Sequence, residues 1–236
     1  MNDWSPLWLS LRVSILAATM ASLVGISIAY VLAKGRFRGR GLLEAVVTLP
    51  IVLPPTVLGY YLLTALGAQS PVGRTWENIF GSPLVFTQTA AMIAATVSAL
   101  PFVVRTARAA IEGVDPRLEA VARVAGHREW RVASLVTLPV ARRGLLAGVA
   151  LGFARALGDF GATVMVAGNI PGRTQTLPVA VYDAVQAGDD DRARTGALVL
   201  MGVAVVVLLL VTQMSGSTSS KDPGADRWNR NRGSRR

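Results

Sequence analysis

The chain contains no cysteine, a single histidine, His127, and only two lysines, Lys34 and Lys221. Without cysteine there can be no disulfide, no zinc–thiolate site and no cysteine nucleophile. One histidine cannot form a histidine metal cluster, so we expect no metal site. Neither lysine lies in a Gly-x-x-x-x-Gly-Lys-Ser/Thr loop, the phosphate-binding motif of many ATPases. If this protein uses ATP, the nucleotide and its Mg²⁺ bind to another chain, and we expect no cofactor on this one.

Charged residues are also scarce. They make up 16% of the 236 residues, whereas 52% are hydrophobic and the mean hydropathy is +0.45. This composition is too apolar for an ordinary soluble domain and predicts a membrane protein with several spans. We find no Ser/His/Asp set and no pair of carboxylates assigned to one pocket, so we assign no catalytic residue and predict that the chain is not an enzyme.

Five apolar stretches are long enough to cross a bilayer. A helix needs about 20 apolar residues for a hydrocarbon core of about 30 Å, and lipid leaves a single segment no other way to satisfy its backbone. We predict spans at about residues 10–33, 44–67, 84–106, 144–168 and 195–214, within a transmembrane domain of residues 1–214. The predicted fold class is an all-α integral membrane protein. A segment around Trp4 and Trp8 in the headgroup layer would add a sixth helix.

The net charge of +10 raises the possibility of nucleic-acid binding. The positive residues, however, gather in loops between apolar runs, which is the pattern of membrane topology and argues against a nucleic-acid partner. With five spans, 18 of the 24 basic residues fall on one side, which the positive-inside rule identifies as cytoplasmic. We therefore predict an outside N-terminus and a cytoplasmic C-terminus. Residues 215–236 are predicted to be a basic, disordered cytoplasmic tail held near anionic lipid.

The most informative stretch is DPRLEAVARVAGHREWRVASLVTLP, residues 115–139, between the third and fourth predicted spans. Asp115 can cap a helix and Pro116 suits its first turn. Apolar residues recur at helical spacing up to Gly126 and resume after it, and Pro139 ends or kinks the second part. The pattern predicts two short helices that meet at a glycine, with an apolar face and an arginine-rich rim. These residues leave two functions open, a docking surface for a partner and a helix lying in the membrane surface.

The order Gly126, nine residues, Val136, one residue, Leu138 and Pro139 resembles the signature of the permease subunits of ABC importers. In that family Glu-Ala-Ala stands before the glycine, at positions occupied here by residues 120–122. The glutamate is displaced, because Glu119 stands one residue earlier and points about 100° away around the helix. The resemblance implies a segment that inserts into a cleft of an ATPase subunit, formed by Glu119, Ala120, Ala122, Gly126, Val136, Leu138 and Pro139.

Two further blocks are similar to the permeases of molybdate importers. They are LPIVLPPTVLGYYLL, residues 49–63, and FARALGDFGATVMVAGNIPGRTQTLPVAVY, residues 153–182. Sulfate permeases share part of the second block, whereas the doubled proline at 54–55 and residues 175–178 favour molybdate or tungstate. Asp159 stands where relatives often have glutamate.

The resemblance covers about residues 7–212. It implies a type I ABC importer permease bundle with a cytoplasmic coupling helix, in the cell membrane of a prokaryote. It also implies a homodimer whose interface forms the pore, two ATP-binding subunits on the cytoplasmic side and an extracytoplasmic molybdate-binding protein.

Polar and helix-breaking residues inside the predicted spans are the pore or gate candidates. Arg155 and Asp159 stand four residues apart and share a helix face, either as an ion pair that orients the helix or as charges along the anion path. The prolines of the second span produce a kinked packing helix or border the pathway. Neutral donors suit a weakly bound oxyanion, although hydroxyls also bond to their own helix. The set is Thr48, Pro54, Pro55, Thr56, Ser98, Arg155, Asp159, Thr163 and Asn169.

A stripe of small residues, Gly144, Gly148, Gly152 and Ala156, recurs every four positions and predicts a helix-packing face. Taken together, the sequence predicts the transmembrane, channel-forming subunit of an ATP-driven importer of molybdate. The nearest alternative is a sulfate or thiosulfate permease. A stand-alone proton-coupled carrier is a weaker alternative, because it needs titratable groups within the membrane and only Asp159 qualifies.

Overall fold

A computed structural model describes residues 4–215, without the side chains of residues 210–212, 214 and 215. Over this range the chain is helical and contains no strand. The helices are α1 (Ser5–Lys34), α2 (Arg40–Val52), α3 (Pro55–Leu66), α4 (Pro71–Phe80), α5 (Gln88–Glu112), α6 (Pro116–Val124), α7 (Glu129–Val132), α8 (Leu138–Leu157), α9 (Gly161–Ala167), α10 (Leu177–Gln186) and α11 (Asp190–Ser215). A π-helical turn, Ala133–Thr137, joins α7 to α8.

Three long helices, α1, α5 and α8, form the centre of the bundle by packing against one another. Alanines dominate the interface between α1 and α5. Ala17, Ala21, Ala91 and Ala95 are all fully buried there. Lipid tails are as apolar as the helices, so no hydrophobic force drives these helices together, and the small side chains stabilise the bundle by allowing close van der Waals packing.

The predicted stripe of small residues on α8 lies against α5. A Cβ built on Gly152 would be 2.6 Å from Cγ2 of Val103, and one on Gly148 would be 3.3 Å from Cβ of Thr106. A Cβ on Gly144 would overlap Ala110. The prediction of a packing face is therefore confirmed, since a side chain at any of these positions would push the two helices apart.

The predicted span at 44–67 is not one helix. The structure divides it into α2 and α3, whose axes differ in direction by 115° across Leu53 and Pro54. Two consecutive prolines remove two backbone donors, and a proline disfavours the helical conformation of the residue before it. The sequence therefore contains the reason for the break, but a kink was expected and a sharp turn is observed.

The predicted span at 144–168 also differs from the observed helices in its start and in its continuity. The long helix of this region runs from Glu129 to Leu157, so it begins fifteen residues before the expected start, and α9 follows as a separate short helix. Pro139 was predicted to end or kink the second part of the motif segment, and it does not end it, because Pro139 is the second residue of α8 and the helix continues to Leu157. The π-helical turn directly before Pro139 absorbs the backbone bond that proline cannot make, and the helix continues.

The other three predicted spans correspond to α1, α5 and α11 with shifted ends. Trp8 lies within α1, so in the described part of the chain the N-terminus forms no separate interfacial helix. Thr87 caps α5 by accepting a hydrogen bond from the N–H of Ala90 at 3.2 Å, which places its start at Gln88. Of the predicted tail, 215–236, only Ser215 is among the described residues. Among the described residues, four helices can span a membrane alone, and the α2–α3 pair is the candidate fifth.

Ion pairs gather at one end of the bundle. Arg108 Nη1 lies 2.7 Å from Glu44 Oε1, and Arg108 Nε lies 2.8 Å from Glu112 Oε1, which joins the end of α5 to the beginning of α2. Residues 34–44 and 105–143 form this region, which we call the arginine-rich end. The segment singled out by its motif, 115–139, lies here, next to the end of α1.

We expect Gly152→Val to destabilise the bundle by about 1–3 kcal/mol, because its side chain would overpack the α5–α8 interface. The measurement is the free energy of unfolding in detergent micelles. Gly202→Val is the matched control, because Gly202 is an exposed position of α11 where an added Cβ meets nothing within 4 Å. Equal stability of the two variants would contradict the close packing of α5 and α8.

Candidate functional site

The motif segment folds into an elbow, residues 115–132, that projects from the arginine-rich end. The Asp115 carboxylate caps α6 by accepting a hydrogen bond from the N–H of Arg117 at 2.9 Å. At the other end of α6, Gly126 has φ +84° and occupies the left-handed region. The N–H of His127 donates to the carbonyl of Ala122, and that of Gly126 to the carbonyl of Arg123. This is the Schellman arrangement, in which glycine lets the chain reverse without strain.

The two arms of the elbow are held together by an ion pair across the turn. Arg123 Nε lies 2.7 Å from Glu129 Oε1, and its Nη2 lies 3.2 Å from Oε2. A bidentate pair of this kind defines the orientation of both side chains as well as their distance. The second arm, α7, then passes through the π-helical turn into α8 without interruption. Val136 lies in that turn, and Leu138 and Pro139 are the first residues of α8.

The apolar face of α6 points outward. Val121 and Val124 are 70% and 90% exposed, Leu118 is about half exposed, and Trp130 on α7 is also exposed. We call these four side chains the apolar ridge. Ala120 is exposed beside it and Ala122 is half-buried. Apolar side chains that a protein exposes as a contiguous patch indicate a surface for a partner or for membrane.

Glu119 faces the opposite way and is only 3% exposed. Its Oε1 lies 2.8 Å from Nζ of Lys34, the last residue of α1, and accepts a hydrogen bond of 2.8 Å from Oγ1 of the buried Thr137. Its Oε2 is 3.5 Å from Nη2 of Arg123. Burial raises the pKa of the Glu119 carboxyl, but the hydrogen bonds from Lys34 and Thr137 and the nearby positive charges outweigh burial and hold the pKa below its ordinary value.

A second candidate region lies where the two interrupted helices meet. A Cβ on Gly161, the first residue of α9, would lie 2.8 Å from Cβ of Pro55, and one on Gly59 would lie 3.0 Å from Cα of Ala162. The start of α3 therefore touches the start of α9 almost backbone to backbone. Pro54, Pro55 and Thr56 remain exposed on the surface of the single chain at this junction.

Asp159 lies in the gap between α8 and α9 and is fully bonded. Its Oδ1 accepts from Ser98 Oγ at 3.1 Å and lies 3.0 Å from Arg155 Nη1. Its Oδ2 accepts from the N–H and the Oγ1 of Thr163, at 3.0 and 2.6 Å. The carboxylate is 2% exposed, so it does not face an anion pathway in this conformation. This arrangement favours the ion pair as a device that joins α5, α8 and α9.

The remaining pore candidates lie elsewhere. Thr48 bonds to the carbonyl of Glu44 on its own helix at 2.7 Å. Asn169 belongs to a cluster beyond the C-terminal end of α9, where its Nδ2 donates to Asp183 Oδ1 at 3.0 Å and its Oδ1 accepts from Gln175 Nε2 at 2.7 Å. The structure thus groups Ser98, Arg155 and Thr163 around the Asp159 carboxylate. Pro54, Pro55 and Thr56 lie at the adjacent junction of α3 and α9, whereas Thr48 and Asn169 lie apart.

Several residues of these sites were missed in the sequence. In the sequence Lys34 is one of the basic residues between apolar runs, and Thr137 is a residue of the motif segment with no assigned role. In the structure both bind Glu119. Gln175 and Asp183 bind Asn169. The helical period places Glu119 on the face opposite Val121, but it reveals neither the burial of Glu119 nor its partners, which come from distant positions in the chain.

The comparison with known families decides the class of protein. The profile of the family described as "Binding-protein-dependent transport system inner membrane component" matches residues 21–216. The chain belongs to this family. Its members are the membrane subunits of ABC transporters, in which the ATPase is a separate subunit, so this chain is a permease subunit rather than an enzyme.

Curated relatives cover most of the chain. The molybdenum transport system permease protein ModB of Escherichia coli K12 is 40% identical over 88% of this chain and 91% of its own length. A probable molybdenum ABC transporter permease protein of Haloferax volcanii is 45% identical over 84% of this chain and 72% of its own. The sulfate transport system permease protein CysW of Synechocystis is 35% identical, over 89% and 75%.

The fold is shared with a solved transporter. The inward-facing MetNI methionine ABC transporter matches with a TM-score of 0.70 and 16% identity, over 91% of this chain and 97% of the solved chain. At that identity the likeness shows the fold alone, which is the predicted type I ABC importer permease bundle. The predicted fold class is therefore confirmed.

We expect Asp159→Asn to lower the free energy of unfolding by about 3 kcal/mol, because it removes the buried partner of the half-buried Arg155 and leaves that arginine beside a neutral group. The double variant Arg155→Gln/Asp159→Asn should be more stable than the sum of the two single losses, because no charge is then left without a partner. Chemical denaturation in detergent micelles measures the free energy of unfolding of Asp159→Asn, Arg155→Gln and the double variant. Additive losses would show that the two side chains do not stabilise the fold as a pair.

Proposed function

We propose that this protein is the transmembrane, channel-forming subunit of an ATP-driven molybdate importer. The observation that carries the proposal is the identity of 40% to the E. coli molybdenum permease across almost the whole of both chains. The apolar ridge supports the ATP-driven part of the proposal. It lies on an elbow that extends beyond the membrane-spanning helices, where an ATPase subunit can cover it.

The same proposal assigns the partners. An ATP-binding subunit, which holds ATP and Mg²⁺, docks on the elbow at the arginine-rich end. A molybdate-binding protein docks on the opposite face of the membrane. The excess of basic residues supports a cytoplasmic location for the arginine-rich end, an external N-terminus and a cytoplasmic C-terminus.

The exposed break between α2 and α3 supports a homodimer as part of this proposal. Backbone that leaves the helical path at membrane depth must be buried in protein or face water, because lipid cannot satisfy its polar groups. In a single chain Pro54, Pro55 and Thr56 are exposed. A second copy that packs across this break would cover part of it and enclose a polar path between the two copies.

In this proposed dimer the pore candidates fall into two groups. Thr56 and the prolines at 54–55 stand at the proposed dimer interface and are the candidates for the pathway. Ser98, Arg155, Asp159 and Thr163 lie behind them, where they hold α9 against α5 and α8. A pathway bordered by neutral donors binds a tetrahedral dianion weakly enough to release it.

Sulfate is the second candidate substrate, because the sulfate permease CysW of Synechocystis is 35% identical. Uptake of labelled molybdate decides between them, in a strain that lacks its own molybdate system and expresses this chain with its ATPase and binding protein. We expect ATP-dependent molybdate uptake that excess sulfate does not inhibit. Sulfate transport without molybdate transport would contradict the proposed substrate.

We expect Val121→Asp to prevent co-purification of the ATPase subunit, because a charge in the middle of the apolar ridge would have to be buried without a partner. Val121 is 70% exposed, so the substitution leaves the fold intact. Pull-down of the ATPase by tagged permease measures the loss. The control is Val185→Asp, which places the same charge at an exposed position of α10.

Retention of the ATPase by Val121→Asp would contradict the docking role of the ridge. That result would favour the alternative in which the elbow lies in the membrane surface. The position of the elbow can be read directly from collisional quenching of Trp130 fluorescence by lipid-attached quenchers in a variant whose other tryptophans are replaced.

A further inference from the structure

The docking helix α6 has an unusual anchor. Of its nine residues, from Pro116 to Val124, the one that is buried is Glu119. An amphipathic helix is normally held by its apolar face, but here that face points outward as the apolar ridge. The helix is therefore attached to the bundle mainly through a charged side chain.

The anchor joins three elements. Glu119 Oε1 is 2.8 Å from both Lys34 Nζ, at the end of α1, and Thr137 Oγ1, at the start of the α8 region. Lys34 and Glu119 have side chains that are 24% and 5% exposed. The carboxylate thus links the elbow to two of the three central helices by short bonds that are largely shielded from water.

Such a link resists separation. Removing one partner of a buried ion pair leaves an uncompensated charge, which costs far more than breaking an exposed pair. A displacement of α6 therefore moves the end of α1 and the start of α8 with it. The exposed pair between Arg123 and Glu129, by contrast, joins only the two arms of the elbow to each other.

We propose that Glu119, held by Lys34 and Thr137, is the positioning residue that transmits movement of the elbow to α1 and α8. This proposal rests on the proposed function, in which an ATPase subunit docks on the ridge. In this proposal Glu119, which is displaced from the usual place of the motif glutamate, makes a contact within the chain. The apolar ridge makes the contact with the ATPase subunit. Glu119 touches neither nucleotide nor substrate and acts only through the helices that it joins.

The test uses the full importer reconstituted in vesicles, with ATP hydrolysis and molybdate uptake measured together. In Glu119→Gln we expect the number of molybdate ions moved per ATP to fall about tenfold, with the ATPase still bound. A merely structural role would lower both rates together and leave this ratio unchanged. Glu112→Gln is the matched control, because Glu112 is also paired with arginines but lies at the end of α5 with a side chain 43% exposed.

Two further variants keep the proposal testable if Glu119→Gln folds poorly. Thr137→Val keeps the shape of the residue and removes only its hydrogen bond to Glu119, and it should lower the same ratio by about threefold. Lys34→Met should lower the ratio as much as Glu119→Gln, and the double variant should fall no further, because both act through one contact. An unchanged ratio in Thr137→Val and Lys34→Met would overturn the proposal.

The outcomes separate the two proposals. If the native complex neither binds an ATPase nor moves molybdate with ATP, the proposed function fails. If the native complex transports and the ratio in Glu119→Gln equals that of the native protein, the proposed function stands and the internal link is wrong.

Discussion

The membrane-spanning part of this protein depends on the need to satisfy backbone polar groups in lipid, which offers no hydrogen bonds. This requirement makes the chain helical and makes each interruption of a helix expensive. The two interruptions, between α2 and α3 and between α8 and α9, are placed against each other, with Gly161 and Pro55 in close contact. By meeting at one place they bring the irregular backbone of both helices into a single region that protein or water can cover.

Buried carboxylates also need hydrogen-bond partners. Asp159 and Glu119, the two most deeply buried carboxylates of residues 4–215, each accept short bonds from several donors on different elements. Asp159 ties α9 to α5 and α8, and Glu119 ties the elbow to α1 and the α8 region. For the elbow this bond takes the place of apolar contacts, because the apolar side chains of α6 are exposed. Directional bonds suit this task because they define a relative orientation as well as a distance.

The sequence predicts which elements are present better than it predicts where they end and which distant residues they bind. The existence of the spans followed from apolar length, and the turn at Gly126 followed from a glycine between two helical patterns. The ends of the helices did not follow, because Thr87 as a cap and the π-helical turn before Pro139 change the boundaries by several residues. The direction in which Glu119 points was visible from the helical period. Its partners were not, because Lys34 and Thr137 are near it only after α1 and α8 have packed together.

The sequence by itself determined that this is a helical membrane protein, how its charges are distributed along the chain and which family it belongs to. These follow from composition, periodicity and a spaced motif, which are properties of a linear chain. Only the tertiary structure decided which polar residues meet. Ser98, Arg155 and Thr163 surround Asp159, whereas Thr48 bonds to its own helix and Asn169 joins a separate cluster. The physical reason is that a hydrogen bond requires a distance of about 3 Å between two atoms, and such distances between remote residues arise only when the helices pack.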